Sequence, residues 1–164
     1  RIELKNWKNF TDTRVSLARR VFLVGPNASG KSNFMDAIRF LRDLVIDGGG
    51  LNKAVEMRGG MGKVRSLFAR SNPAVQIKVE IRDDSGEGWR YELAFTNAST
   101  KNPAPRVVRE VVHRLSANVK EKMIRNRPDP DDEADAERLS QTHLQQVNSN
   151  QEFRALSDFF REIS

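Results

Sequence analysis

The residues Gly25-Pro26-Asn27-Ala28-Ser29-Gly30-Lys31-Ser32 match the spacing G-x-x-x-x-G-K-[ST], which is built to hold nucleotide phosphates. Gly25 and Gly30 lack Cβ atoms where the backbone must turn sharply and approach phosphate oxygens. The amides of residues 28–32 can then point inward as an anion nest around a β-phosphate. Lys31 supplies a mobile cation for the β- and γ-phosphates. Ser32 supplies a hydroxyl for Mg²⁺, which bridges those two phosphates. A glycine-bearing turn between a strand and a helix is the simpler alternative, and it explains neither Lys31 nor Ser32.

Such a loop works only if rigid elements hold it. Val21-Phe22-Leu23-Val24 precedes it, a short apolar run of the kind that forms a buried strand. After it Phe34, Ile38, Leu41 and Val45 recur at helical spacing, with Ala37 and Leu44 widening the stripe. The helix is expected to stop at Gly48-Gly49-Gly50. Ile2 and Leu4 alternate with polar residues, and Val15 and Leu17 suggest a second short strand. Residues 51–72 include a second glycine-rich stretch, Met57-Arg58-Gly59-Gly60-Met61-Gly62. Val75–Arg82 alternates in the manner of a strand with one wet face. Asp83–Gly88 reads as a turn, with partner strands at Trp89–Phe95 and Val107–Leu115. Pro128 and Pro130 stand among acidic residues, so residues 126–138 are expected to form an exposed or disordered loop. Phe153, Leu156, Phe159 and Phe160 mark a last helix over residues 151–161.

The chain of 164 residues suits one domain with a sizeable core. It has no cysteine, which excludes disulfides, thiolate metal sites and cysteine nucleophiles. No apolar run approaches bilayer length and no signal peptide is visible, so a cytoplasmic protein without a membrane partner is expected. Charge is uneven. Residues 1–128 carry 25 Lys and Arg against 13 Asp and Glu, whereas residues 129–164 carry 3 against 9. The basic part could attract nucleic acid or be an ordinary solvated sheet face. His113 and His143 have no ligand spacing, so no zinc site is expected.

The run Gly25–Phe40 resembles the first nucleotide-binding lobe of the SMC/RecF group of ABC-type ATPases. Leu4-Lys5-Asn6-Trp7-Lys8-Asn9-Phe10 is similar to that group's opening strand, and Met57–Val64 resembles its arginine loop. The likeness runs in order over residues 1–83, and the later hairpin looks closer to RecF-like and OLD-like AAA-type ATPases of DNA repair and phage defence. The resemblance implies an α/β P-loop NTPase lobe with a mixed sheet and an antiparallel β-subdomain. The P-loop core would span about 1–72, the β-subdomain about 73–116 and a helical segment about 139–164. It implies ATP and Mg²⁺ as cofactors, contacted by Gly25, Pro26, Asn27, Ala28, Ser29, Gly30, Lys31, Ser32 and Asn33. Asn27 and Ser29 would position the loop or touch phosphate. Arg58 would approach the phosphates or sense DNA, or be a surface arginine. Lys8 would lie near the base or bound DNA, or be a turn lysine. Trp7 and Phe10 could stack on adenine or be sheet aromatics. Gln141 is the candidate Q-loop residue, orienting water and touching Mg²⁺, with Gln145, Gln146 and Gln151 competing. A second ATPase head, in a homodimer or higher oligomer, is the implied partner, with DNA and an effector protein or nuclease domain beyond it.

Two expected motifs are missing. No apolar strand ends in Asp-Glu as a Walker B strand does, and no Leu-Ser-Gly-Gly-Gln signature occurs. Their absence implies the N-terminal lobe of a larger ATPase, and the start at Arg1 rather than Met implies a truncated or processed chain. An assembly or sensor subunit that binds ATP without steady turnover is the alternative. A small-molecule kinase is disfavoured by the antiparallel meander that follows the first helix.

Overall fold

A computed structural model describes residues 1–69, 74–99 and 103–164. Period-two alternation produces the sheet. The first strands are β1 (Ile2–Trp7), β2 (Phe10–Val15) and β3 (Val75–Arg82). They are followed by β4 (Gly88–Asn97), β5 (Pro105–Leu115) and β6 (Lys122–Arg127). The strands pair in the order β2-β1-β3-β4-β5-β6, antiparallel at every junction. The described residues therefore form an antiparallel sheet where a mixed one was expected. Because β1 pairs with β3, the first hairpin and the later meander share one sheet. The expected boundary at 72–73 lies outside the described residues.

Helices cover one face of the sheet. They are α1 (Lys31–Asp43), α2 (Leu51–Glu56), α3 (Met61–Val64), α4 (Pro130–Ala134) and α5 (Arg154–Arg161), with 3₁₀ turns at Ala136–Ser140 and Gln151–Phe153. Phe34, Ala37, Phe40 and Leu41 of α1 pack on Leu4, Ile77, Leu93 and Phe95, the inward residues of the strands. Phe40 joins two of these elements: it stacks on Phe95 at 5.4 Å and meets Trp7 edge-on at 5.2 Å. The opposite face is wet, and its arginines are matched to carboxylates on neighbouring strands. Arg14 meets Glu3, Arg90 meets Glu80, and Arg109 meets Glu92. Beside Arg82 and then Arg90, Glu80 is held down to a pKa of about 2 against its partial burial.

Two expectations change. Val21–Val24 forms no strand among the described residues. Its exposures alternate at 44, 87, 40 and 91%, so one side is half shielded and the other faces solvent. The apolar pattern is that of a buried strand, but the described residues supply no neighbours to bury it. The acidic stretch after residue 126 is also ordered. Asp129 caps α4 with a capping box, accepting from the Asp132 amide while Asp132 accepts from the Asp129 amide. Asp132 is buried because Arg127 grips both of its oxygens, at 2.8 and 2.7 Å. Arg127 also reaches the buried Glu110 at 3.0 Å. Glu110 in turn accepts from the Tyr91 hydroxyl and from the amides of His143 and Leu144.

Candidate functional site

The loop Gly25–Ser32 sits at the start of α1. Ala28 and Gly30 adopt left-handed φ values of 63° and 98°, which is how a nest turns successive amides to one side. Gly30 is required sterically as well: a Cβ there would stand 2.6 Å from the Asn9 amide nitrogen and 3.0 Å from the Phe10 ring. The first intrahelical bond of α1 runs from Phe34 N to Gly30 O at 2.9 Å, so the amides of Lys31, Ser32 and Asn33 open the helix without acceptors inside it. No side chain caps this end and no acidic residue lies in the first turn. The positive end of a thirteen-residue helix is therefore uncompensated beside a curled loop. Lys31 donates from Nζ to the carbonyl oxygens of Gly25 and Pro26, at 2.6 and 2.7 Å. Ser32 is exposed at the rim. These features suit a bound nucleotide polyphosphate with its Mg²⁺.

The turn between β1 and β2 fixes the other wall. Trp7 is fully buried and donates from Nε1 to the carbonyl of Asn33 at 2.9 Å, which pins the start of α1 to the sheet. Trp7 is thus a core aromatic, and Phe10 packs partly buried against the same core. Asn33 donates to Asn9 Oδ1 at 2.8 Å. These two residues line both a 320 Å³ hollow along the loop and a 690 Å³ cavity beside it. The cavity is also walled by Lys8, Arg58, Arg65 and the exposed Phe68. The two spaces adjoin at Asn9 and Asn33, which line both.

Lys8, Arg58 and Asn33 line the cavity, while Asn27 to Asn33 line the adjoining hollow and Gly25 and Pro26 line neither. Arg58 is not a free surface arginine, since its side chain is only 6% exposed. It pairs with Asp36 at 3.0 Å and Asp43 at 2.9 Å. It also donates to the Ala54 carbonyl at 2.7 Å and lies 5.1 Å from the Phe40 ring centre. Gln141 lies elsewhere. It lines neither space, its side chain accepts from Gln146 at 3.0 Å, and its carbonyl accepts from Arg127. Gln145 instead accepts from the amides of Leu51 and Thr142, so it holds α2 against the chain after β6. Sequence reasoning missed Asn9, whose side chain reaches the loop. The signal available was its place immediately after Lys8 in the opening-strand resemblance.

A second cluster lies away from the loop. Oxygens of Asp129 and Asp132 and a ring nitrogen of His143 lie within 4.8 Å of one another. Asp132 already accepts four bonds, from Arg127 twice, Arg138 and the Asp129 amide, so its oxygens are committed to an ion network and not to a metal. His143 is buried with Nδ1 unpartnered. Burial, then Arg127 and Arg125, pushes its pKa down to about 4.

Residues 20–163 match the family model described as an AAA domain, putative AbiEii toxin, of type IV TA systems. Over 91 residues the chain is 26% identical to the DNA replication and repair protein RecF of Synechococcus sp. (strain JA-3-3Ab). That alignment covers 54% of this chain and 24% of the relative. The family match extends over most of the chain and encloses the whole loop from Gly25 to Ser32, so the chain belongs to the AAA-domain family that includes the putative AbiEii toxins.

Proposed function

We propose that this chain is the ATP-binding lobe of a RecF-like ATPase whose heads engage on ATP and couple hydrolysis to DNA or to an effector, in DNA repair or anti-phage defence. The observation that carries the nucleotide assignment is the uncapped, acid-free start of α1 beside a nest-forming loop. Its phosphate end opens into a 690 Å³ cavity. In this reading the amides of residues 28–32 bind the β-phosphate. Lys31 leaves the Gly25 and Pro26 carbonyls for the β- and γ-phosphate oxygens. Ser32 would hold Mg²⁺, which when bound neutralises charge on those oxygens. Lys8 and Asn9 face the nucleoside.

One observation favours a second reading, ATP-driven assembly without steady turnover. Among the described residues, no side chain lining either space is acidic. A carboxylate that orients the attacking water must therefore come from further sequence or a second molecule. The exposed apolar run Val21–Val24 supports the same incompleteness, since among the described residues nothing buries Phe22 and Val24. Two measurements test the proposal in the full-length protein. Lys31→Ala removes ATP binding by calorimetry, and unchanged affinity would refute the site. Steady-state phosphate release then separates turnover from assembly.

A further inference from the structure

Of the four cations on the cavity wall, Lys8, Arg58, Lys63 and Arg65, the first two share one carboxylate. Lys8 Nζ lies 2.7 Å from Asp36 Oδ2. Arg58 meets the same carboxylate through Nε at 3.1 Å and Nη2 at 3.0 Å. The two cations are held very differently. Arg58 is also anchored by Asp43, by the Ala54 carbonyl and by the Asp36 carbonyl at 3.2 Å. Lys8 has Asp36 as its side-chain partner among the described residues, and its side chain is 24% exposed. Asp36 follows Ser32 by four residues on α1, so the two lie on the same helix face. A negative charge thus sits one turn behind the residues that receive the phosphates.

We propose that Asp36 is a positioning residue that competes with the nucleotide for Lys8. Without ligand, the carboxylate holds Lys8 at the cavity wall. A phosphate or ribose oxygen entering the cavity takes Lys8 from Asp36, while Arg58 stays fixed by Asp43 and the carbonyls. The lysine's flexible stem and rotatable donors suit it to this exchange, whereas the planar arginine fork is locked in place. Asp36 therefore sets ATP affinity below what Lys8 alone would give. This inference rests on the nucleotide reading above.

The test is a double-mutant cycle on the full-length protein, with Mg·ATP titrated by calorimetry over a salt series. Asp36→Asn keeps a polar partner for Arg58 and tightens ATP binding about two- to fivefold, the range expected for releasing a partly exposed ion pair. It also steepens the salt dependence by freeing one more cation. Lys8→Met weakens binding, and in Lys8→Met/Asp36→Asn the gain disappears. Unchanged or weaker binding in Asp36→Asn, or a gain that persists without Lys8, overturns the inference. Should Asp36→Asn not fold, the wild-type protein provides the reading. The Lys8 side-chain NMR signal, assigned by its loss in Lys8→Met, shifts on adding Mg·ATP, and a static signal overturns the inference. If Lys31→Ala leaves ATP binding intact, the nucleotide reading fails. If binding depends on Lys31 but the cycle is additive, the role of Asp36 alone fails.

Discussion

At the scale of single residues, Arg58 shows how burial changes an assignment. A guanidinium beside nucleotide phosphates would stabilise charge that develops during transfer. Here it is enclosed by Asp36 and Asp43 on α1 and seated against Phe40 and Trp7. The contact with each ring is worth about 0.5–2 kcal/mol. Removing Arg58 leaves the buried Asp43 to Arg42 alone and Asp36 to Lys8, a loss at the lower end of the about 3–5 kcal/mol for breaking a buried charge pair. The structural term therefore dominates, and Arg58→Ala is expected to unfold the lobe at markedly lower denaturant or temperature. The measurement is a urea midpoint read beside ATP affinity. A variant with wild-type stability and slowed hydrolysis would return Arg58 to a catalytic role.

Among the elements, the exposed run Val21–Val24 leads to the clearest prediction. Phe22 at 87% and Val24 at 91% exposed leave apolar side chains in water next to the loop that holds the proposed site. If the lobe is completed elsewhere in the protein or by a second molecule, these residues are covered there. Phe22→Asp then lowers stability of the full-length protein by about 1–3 kcal/mol, and the amides of residues 21–24 are protected from hydrogen exchange. Rapid exchange with a neutral Phe22→Asp would show that the segment stays open. The same segment marks the limit of sequence reading. Its apolar pattern was legible, as were the alternation of β3, β4 and β5 and the helical stripe of α1. What surrounds Val21–Val24 was not, because pairing is a property of neighbours. Lys122–Arg127 has no clear alternation, yet forms β6, with Arg127 held by Glu110 and Asp132. Gly50 and Gly60 read as loop glycines, but at φ of 107° and 87° they open α2 and α3. Arg58 was legible as a charge near a nucleotide, but its acidic partners lie 22 and 15 residues earlier (Asp36 and Asp43), beyond any local pattern.

Across the whole molecule, the ion network at the β5–β6 end ties the acidic tail of the sequence to the sheet, and it makes stability depend on pH in separable windows. His143 is buried against Arg127 and Arg125 of β6, with Asp129 and Asp132 on the α4 side. Desolvation first, then the two arginines, lowers its pKa from 6.5 to about 4. Between those values the unfolded chain binds a proton that the folded chain refuses, so stability falls as pH drops from about 6.5 towards 4 and is fully present above 6.5. The shift corresponds to roughly 3 kcal/mol at most. Carboxylates act lower. Glu80 is held at about 2 by Arg82 and then Arg90, so its contribution is lost only from about 4.5 downward. Asp132 is also depressed: burial raises it, but Arg127, the Asp129 amide and Arg138 together more than offset that, and its contribution is lost below about 3.8. A plot of melting temperature against pH therefore declines in two stages. In His143→Asn the first stage, between pH 6.5 and 4, is flattened, while the decline below 4.5 remains. If His143→Asn keeps the wild-type slope between pH 6.5 and 4, the buried imidazole is not the source of that acid sensitivity.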